Sequence, residues 1–118
     1  MDNWDIIEEK SLRNNIPLKG IIELNYFCNF SCVYCYLQDK RQQQVSLSRE
    51  QCREIFTSLR KAGTLVLTFT GGEPLLNKDF EGILADAREA RFAVRLFTNG
   101  SLVTDEKAAF LKEIKPLS

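Results

Sequence analysis

The chain of 118 residues contains no histidine. Histidine is the side chain whose ordinary pKa lies closest to neutral pH, and it is also the commonest metal ligand. Its absence excludes histidine-based general acid–base catalysis and leaves zinc only cysteine and carboxylate ligands. Catalytic chemistry in this chain must therefore rest on other side chains or on a cofactor.

Three further absences narrow the class of protein. No apolar stretch approaches the roughly 18 residues of a membrane-spanning helix, and the acidic, mixed start of the chain is unlike a secretory signal. Lysine plus arginine and aspartate plus glutamate number 16 each, so bulk electrostatics gives no attraction to nucleic acid or to membranes. Since 44% of the residues are hydrophobic, we expect a cytoplasmic globular protein with one modest core.

Three of the four cysteines lie close together, directly after a predicted strand. Cys28, Cys32 and Cys35 have the spacing C-x3-C-x2-C, which indicates metal ligands in a reducing compartment rather than disulfides. Three thiolates, with no fourth cysteine and no histidine nearby, cannot close a four-ligand site. They can hold a cubane 4Fe–4S cluster with one iron left open, where a small molecule can bind and react.

A structural zinc site is the alternative for these cysteines, but it requires four ligands. Cys52 shares an apolar helix face with Ile55, Phe56 and Leu59, and its recruitment would turn that face away from the core. We therefore predict that Cys52 is a core residue, as free buried cysteines commonly are.

A strand–loop–helix rhythm recurs three times along the chain. The strands are predicted over residues 20–26, 64–70 and 92–97. The helices are predicted from Ser48, with Gln51 as its capping-box partner, to Gly63; over residues 79–90; and from a cap near Thr104. Their predicted core residues include Phe80, Ile83, Leu84 and Ala87, and then Ala108, Leu111 and Ile114. Three βα units in series indicate an α/β fold with parallel strands joined by right-handed crossovers.

The loops that follow the three strands carry the candidate site. The cysteines follow the first strand, Gly71-Gly72-Glu73-Pro74 the second, and Thr98-Asn99-Gly100 the third. In α/β sheets and barrels, ligands bind at the carboxyl ends of the strands, so we expect these loops to converge on one site. Taken alone, the glycine pair and the Asn-Gly pair are also ordinary turn signals.

The order and placement of these motifs resemble the radical S-adenosylmethionine (SAM) superfamily. The resemblance extends over about residues 20–118 and includes Tyr34, the aromatic residue just before the last cysteine. Residues 23–29 and 34–36 further resemble the SPASM-type subgroup, which modifies peptides and protein side chains. Asn25 departs from that subgroup, whose usual residue at this position is threonine.

The resemblance implies that Cys28, Cys32 and Cys35 hold a 4Fe–4S cluster whose open iron is chelated by SAM. Reductive cleavage of SAM would then give a 5′-deoxyadenosyl radical that abstracts hydrogen from the substrate, a reaction that needs no histidine base. It also implies an electron donor such as a flavodoxin or a ferredoxin.

The resemblance assigns the SAM contacts as well. The loop of Gly71, Gly72, Glu73 and Pro74 is implied to meet the methionine amino group through carbonyls and the Glu73 carboxylate. Glycines allow close backbone approach, and proline restricts the residue before it to an extended conformation. Tyr34 is implied to lie near the adenine. Thr98 and Asn99 are implied to line the SAM pocket.

The family's barrel usually has six βα units, and a βα barrel needs about 200 residues. The resemblance therefore implies half of a partial (β/α)6 TIM-like barrel, with residues 1–19 as an N-terminal extension and residues 20–118 as a truncated core domain. Two functions stay open: a radical SAM enzyme core acting on a peptide or small metabolite, and a non-catalytic iron–sulfur and SAM-binding fragment or subunit that needs a partner. An unpaired sheet edge predicts poor stability of the isolated half, or self-association through that edge.

Overall fold

The computed structural model describes residues 3–26 and 46–117. Its elements, in chain order, are α1 (Asn3–Arg13), β1 (Lys19–Glu23), α2 (Arg49–Ala62), β2 (Val66–Thr70), a 3-10 turn (Pro74–Leu76), α3 (Phe80–Glu89), β3 (Ala93–Leu96) and α4 (Asp105–Ile114). The three predicted strands and the three predicted helices are all present. Helix α1 lies in the segment that the sequence indicated only as an extension.

The three strands form one parallel sheet in the order β1-β2-β3. Ile22 of β1 lies opposite Phe69 of β2, which in turn lies opposite Leu96 of β3. The central strand β2 is buried at all five positions, as its apolar middle predicted for a strand covered on both faces. The predicted α/β class, with parallel strands alternating with helices, is confirmed.

One apolar core lies between the sheet and helices α2 and α3. Phe56 of α2 contacts Phe69 edge-on, with ring centroids 6.1 Å apart, and Phe92 at 5.7 Å. The α3 residues predicted to face the core are all buried, namely Phe80, Ile83, Leu84 and Ala87. Cys52 is fully buried in the same cluster, and its burial raises the pKa of the thiol to about 11. The prediction that Cys52 is a core residue is therefore confirmed.

The caps of α2 follow the sequence prediction. Ser48 and Gln51 form a reciprocal capping box, in which Ser48 Oγ accepts from the Gln51 N–H and Gln51 Oε1 accepts from the Ser48 N–H. Gly63 ends the helix with a φ of 98°. A Cβ at Gly63 would lie 2.7 Å from a methyl carbon of Ile16, so both conformation and space require glycine there.

Helix α4 differs from the prediction at one position. Thr104 caps the helix, Ile114 is buried and Leu111 is half-buried, but Ala108 is exposed rather than part of the inner face. The Lys107 ammonium instead lies 5.9 Å from the Phe80 ring centroid, in line with Leu111 and Ile114 along the helix. A long lysine stem covers more apolar surface than a methyl group does, and this favours the observed rotation of α4.

The chain after α4 returns to the sheet. The Leu117 N–H donates to the Val94 carbonyl at 2.7 Å, on the side of β3 that faces away from β2. Across residues 3–26 and 46–117, no helix is long and apolar enough to cross a membrane.

Candidate functional site

Hydrogen bonds tie together the carboxyl ends of β1 and β2, where the sequence predicted a ligand site. Asn25 lies just after β1, and its carbonyl accepts from the Gly72 N–H at 2.8 Å. Its side-chain Nδ2 donates to the Glu73 carbonyl at 3.0 Å. Residues 26–45, which carry the three clustered cysteines, are called the cysteine segment. Asn25, which leads into this segment, is therefore fixed directly to the Gly71–Pro74 loop.

The approach of these two loops depends on a glycine. Gly71 has a φ of +147°, a conformation that residues with a side chain rarely adopt. A Cβ at this position would lie 2.4 Å from the Asn25 carbonyl oxygen. Glycine is therefore required where the loop packs against the end of β1.

Glu73 connects the loop after β2 to the loop after β3. The side chain is 0% exposed. Its carboxylate oxygens accept from the Thr98 hydroxyl at 2.6 and 2.7 Å, from the Asn99 N–H at 2.9 Å and from the Leu75 N–H at 3.2 Å. Donors of this kind compensate the burial of the charge. The backbone of Glu73 is extended, with φ −129° and ψ 106°, as the following Pro74 predicted.

The donors that surround the Glu73 carboxylate come from the protein itself. This carboxylate therefore acts as a link between two loops, a role that the sequence did not predict. A contact between the Gly71–Pro74 loop and an amine of the ligand stays a prediction.

The loop after β3 is a tight polar turn. Asn99 Oδ1 accepts from the Ser101 N–H at 2.9 Å and from its hydroxyl at 2.7 Å. The Gly100 N–H donates to Thr98 Oγ1 at 3.1 Å, and Gly100 has a φ of 77°. The side chains of Thr98 and Asn99 are exposed at the edge of the sheet. The Asn99-Gly100 pair therefore forms the turn that the sequence predicted. The role of Thr98 and Asn99 in a SAM pocket stays a prediction.

Cys28, Cys32, Cys35 and Tyr34 lie outside the described residues, but both ends of their segment are described. Asn25 and Ser46 form an antiparallel bridge, and the Leu47 N–H donates to the Leu24 carbonyl at 2.8 Å. The chain therefore leaves β1 and returns to the same strand end, beside the Gly71–Pro74 loop.

Asn77 is a residue of this edge that the sequence did not single out. It is 3% exposed, and its Nδ2 donates to the Leu47 carbonyl at 2.9 Å and to the Leu24 carbonyl at 3.2 Å. Its Oδ1 accepts from the Asp79 N–H at 2.8 Å. The only signal in the sequence is an asparagine just before a helix, which indicates a turn but not a contact with distant segments.

Ion pairs join the helices outside this edge. Arg49 contacts Asp86 through Nε at 2.7 Å and Nη2 at 2.8 Å, and Arg53 Nε contacts the same carboxylate at 2.9 Å. The hydrogen bond from Arg49, and to a smaller extent that from Arg53, lowers the pKa of Asp86. The hydrogen bond with Asp86 in turn raises the pKa of Arg49. Within the described ranges, no three acidic or cysteine side chains are grouped closely enough to hold a metal ion.

The fold and this edge define an α/β protein whose candidate ligand site lies at the carboxyl ends of three parallel strands. Residues 22–117 match the Radical SAM superfamily. Because this match covers most of the sequence, the chain belongs to the radical SAM superfamily.

A named relative and a solved structure are similar to this chain at more than 25% identity. Fe-coproporphyrin III synthase of Methanosarcina barkeri (strain Fusaro / DSM 804) is 39% identical over 88 residues, which are 74% of this chain and 22% of that protein. The structure of BtrN in complex with AdoMet and 2-DOIA is 28% identical, with a TM-score of 0.65, over 82% of this chain and 42% of BtrN.

Streptococcus suis SuiB shares the fold at lower identity. The structure of SuiB bound to S-adenosylmethionine is 22% identical to this chain, with a TM-score of 0.73. The match covers 94% of this chain and 28% of the SuiB chain. The structure of SuiB bound to precursor peptide SuiA is 21% identical to this chain, with a TM-score of 0.74. The match covers 94% of this chain and 27% of the SuiB chain. The chain therefore spans less than half the length of each of these proteins.

Proposed function

We propose that this chain supplies the first three βα units of the core domain of a radical SAM enzyme. Residues 20–118 form this part of the core, and residues 1–19 precede it as an extension. The family match over residues 22–117 and the three consecutive βα units support this assignment. The remaining units, on a longer chain or on a partner, would complete the barrel and the substrate pocket.

Within this core, Cys28, Cys32 and Cys35 are assigned as thiolate ligands of a 4Fe–4S cluster with one open iron. The thiolate set fits such a cluster, and the segment that carries it is anchored at both ends to the carboxyl end of β1. When bound, the cluster and SAM supply reductive cleavage of SAM to a 5′-deoxyadenosyl radical, which takes a hydrogen atom from the substrate.

The single observation that carries the proposal is the chain of hydrogen bonds from Asn25 through Gly72 and Glu73 to Thr98 and Asn99. It joins Asn25, just after β1, to the loops that follow β2 and β3. The SAM contacts are assigned to this edge and to the cysteine segment: Tyr34, Gly71, Gly72, Glu73, Pro74, Thr98 and Asn99.

Glu73 has a specific role in this assignment. Its carboxylate accepts from Thr98 and Asn99, and we assign recognition of the methionine amine to this carboxylate together with carbonyl groups of the Gly71–Pro74 loop. Gly71 permits the close packing that keeps those carbonyls in place. Glu73 therefore contributes to SAM binding by holding two loops in register.

For the substrate we propose a peptide or a small metabolite, with electrons from a flavodoxin or a ferredoxin. BtrN in complex with 2-DOIA and SuiB bound to a precursor peptide are consistent with both substrate classes. The second candidate is a non-catalytic cluster- and SAM-binding fragment that needs a partner. The chain spans 22% of the length of the Methanosarcina barkeri enzyme.

Anaerobic reconstitution with iron and sulfide tests the assignment of the ligands. We expect about four irons and four sulfides per chain for the wild type, a large loss for Cys32→Ala, and retention of the cluster in the matched control Cys52→Ala. Equal iron content in Cys32→Ala and the wild type would contradict the ligand set. Formation of 5′-deoxyadenosine from SAM after reduction would favour the enzyme over the non-catalytic fragment.

A further inference from the structure

Asn77 occupies the point where three separate parts of the chain meet. Its amide nitrogen lies within hydrogen-bond distance of the Leu24 carbonyl, the Leu47 carbonyl and the Ser46 hydroxyl, at 3.2, 2.9 and 3.4 Å. Leu24 comes just before the cysteine segment, whereas Ser46 and Leu47 come just after it. One buried side chain therefore contacts both ends of the segment that carries the three cysteines.

Asn77 is itself fixed to the neighbouring loop. Its backbone N–H donates to the Pro74 carbonyl at 3.0 Å, and its Oδ1 accepts from the Asp79 N–H at 2.8 Å. The carbonyl oxygen of its side chain is thus occupied by the start of α3, so its NH2 group faces the ends of the cysteine segment. This orientation also couples those ends to the Gly71–Pro74 loop.

We propose that Asn77 is a positioning residue for the metal centre, which holds the two ends of the cysteine segment together and so raises the affinity of its thiolates for metal. The inference rests on the proposed function, because it takes Cys28, Cys32 and Cys35 as the ligands. Asn77 acts through the backbone at Leu24 and Leu47 and is not itself a ligand.

The physical basis is preorganisation. Bringing the ends of a chain segment together costs conformational entropy. When Asn77 makes this closure during folding, the metal does not have to offset the same cost on binding. The Leu47–Leu24 hydrogen bond and the Asn25–Ser46 bridge do not involve the Asn77 side chain, so its loss should weaken metal binding without abolishing it.

Two variants separate the amide from the space it fills. Asn77→Asp keeps the size of the side chain and an acceptor for the Asp79 N–H, but it places a carboxylate oxygen against the carbonyls of Leu24 and Leu47. Asn77→Ala removes all of these contacts. The matched control is Thr64→Val, which breaks another buried hydrogen bond, from the Thr64 hydroxyl to the Pro17 carbonyl, at the opposite end of β2.

The probe is Cd²⁺ alone, added anaerobically to the reduced, metal-free chain. Thiolate-to-cadmium absorption reports binding, and a competing chelator sets the affinity. We expect both Asn77 variants to bind Cd²⁺ about tenfold more weakly than the wild type, in the range typical of residues that support metal ligands. Thr64→Val should lower the Tm yet leave the Cd²⁺ affinity within about twofold.

The Cd²⁺ affinities test the role of Asn77 separately from the assignment of the three cysteines as ligands. Wild-type affinity in both Asn77 variants, or an equal loss in Thr64→Val, would overturn the role of Asn77 while leaving the cysteine ligands intact. Failure of the wild type to bind Cd²⁺, or binding that survives replacement of all three cysteines by alanine, would overturn the proposed ligand set and the inference with it.

A measurement on the wild type serves if the Asn77 variants do not fold. Coupling between two sites is reciprocal, so metal on the thiolates should stabilise the contacts that Asn77 makes. Hydrogen exchange of the Leu47 amide and of the Asn77 side-chain amide should slow on addition of Cd²⁺, while the amide of Leu67, in the buried central strand β2, should be unaffected. Unchanged exchange at Leu47 and Asn77 with Cd²⁺ bound would contradict the proposal.

Discussion

The helix-covered face of the sheet and its carboxyl edge are held together by different forces. On the helix-covered face, Leu67 and Phe69 belong to one continuous apolar cluster with Phe56 and Phe80. Hydrophobic burial is non-directional and follows the area removed from water. This packing holds the layers together but tolerates substitutions that conserve volume.

At the carboxyl edge, defined here as the loops that follow β1, β2 and β3, buried polar groups provide the contacts. Asn25, Glu73 and Asn77 are no more than 3% exposed, and each forms hydrogen bonds with another loop. A buried polar group is costly without its partner, so these contacts fix positions closely. Apolar area therefore builds the scaffold, whereas a few directional contacts set the geometry of the site.

The largest effect is expected on the helix-covered face. Phe69→Ala should reduce the free energy of unfolding by about 3–5 kcal/mol, because it leaves a cavity beside Phe56 at the centre of the sheet. Chemical denaturation measures this loss. Phe69→Leu should recover most of it, and an equal loss in both variants would contradict the view that this face depends on apolar volume.

Gly71→Ala should be the most damaging small change at the carboxyl edge. Its Cβ would meet the Asn25 carbonyl in a backbone conformation of φ +147°, so we expect a loss of roughly 2–4 kcal/mol and separation of the first two loops. Gly100→Ala is the matched control, since Gly100 has a φ of 77° but no atom within 4 Å of an added Cβ. A control as damaging as Gly71→Ala would show that conformation alone, and not the contact with Asn25, decides the cost.

Glu73→Gln replaces one carboxylate oxygen by an NH2 group with almost no change in volume. The amide has only one strong acceptor for the Thr98 hydroxyl and the Asn99 N–H, so we expect a loss of about 1–3 kcal/mol. Hydrogen exchange should accelerate at Asn99 but not at Leu67, in the buried central strand β2. Unchanged exchange at Asn99 would contradict the role of Glu73 as the link between the two loops.

The smallest effect is expected from the ion pairs between α2 and α3. Because the pKa of Asp86 is lowered in the folded state, chiefly by Arg49, its contribution is fully present above the ordinary value of 3.8 and is lost as the pH falls below it. Asp86→Asn should therefore reduce the Tm slightly at pH 7 and lose this difference in acid. A difference that persists undiminished at pH 2 would contradict the electrostatic origin.

Local signals predicted the scaffold well. Hydrophobic periodicity and caps such as Ser48, Gly63 and Thr104 gave the three βα units, because these signals act within a few residues. The convergence of the Gly71–Pro74 and Thr98–Gly100 loops followed from parallel strands alone. The rotation of α4, which exposes Ala108, depends on contacts between helices and was not predicted.

The contacts within the site were harder to predict. Asn77 bonds to Leu24 across 53 positions of sequence, and Glu73 bonds to Thr98 across 25. No local pattern indicates which distant backbone group a buried polar side chain will meet. The sequence therefore predicted which loops meet, but not that Glu73 faces inward or that Asn77 joins both ends of the cysteine segment.

We propose that this edge presents an open iron to SAM. The most direct test is the electron paramagnetic resonance spectrum of the reduced, reconstituted chain with and without SAM. We predict a reduced 4Fe–4S signal that shifts when SAM is added and that is absent in Cys32→Ala. A wild-type spectrum that is identical with and without saturating SAM would contradict this account.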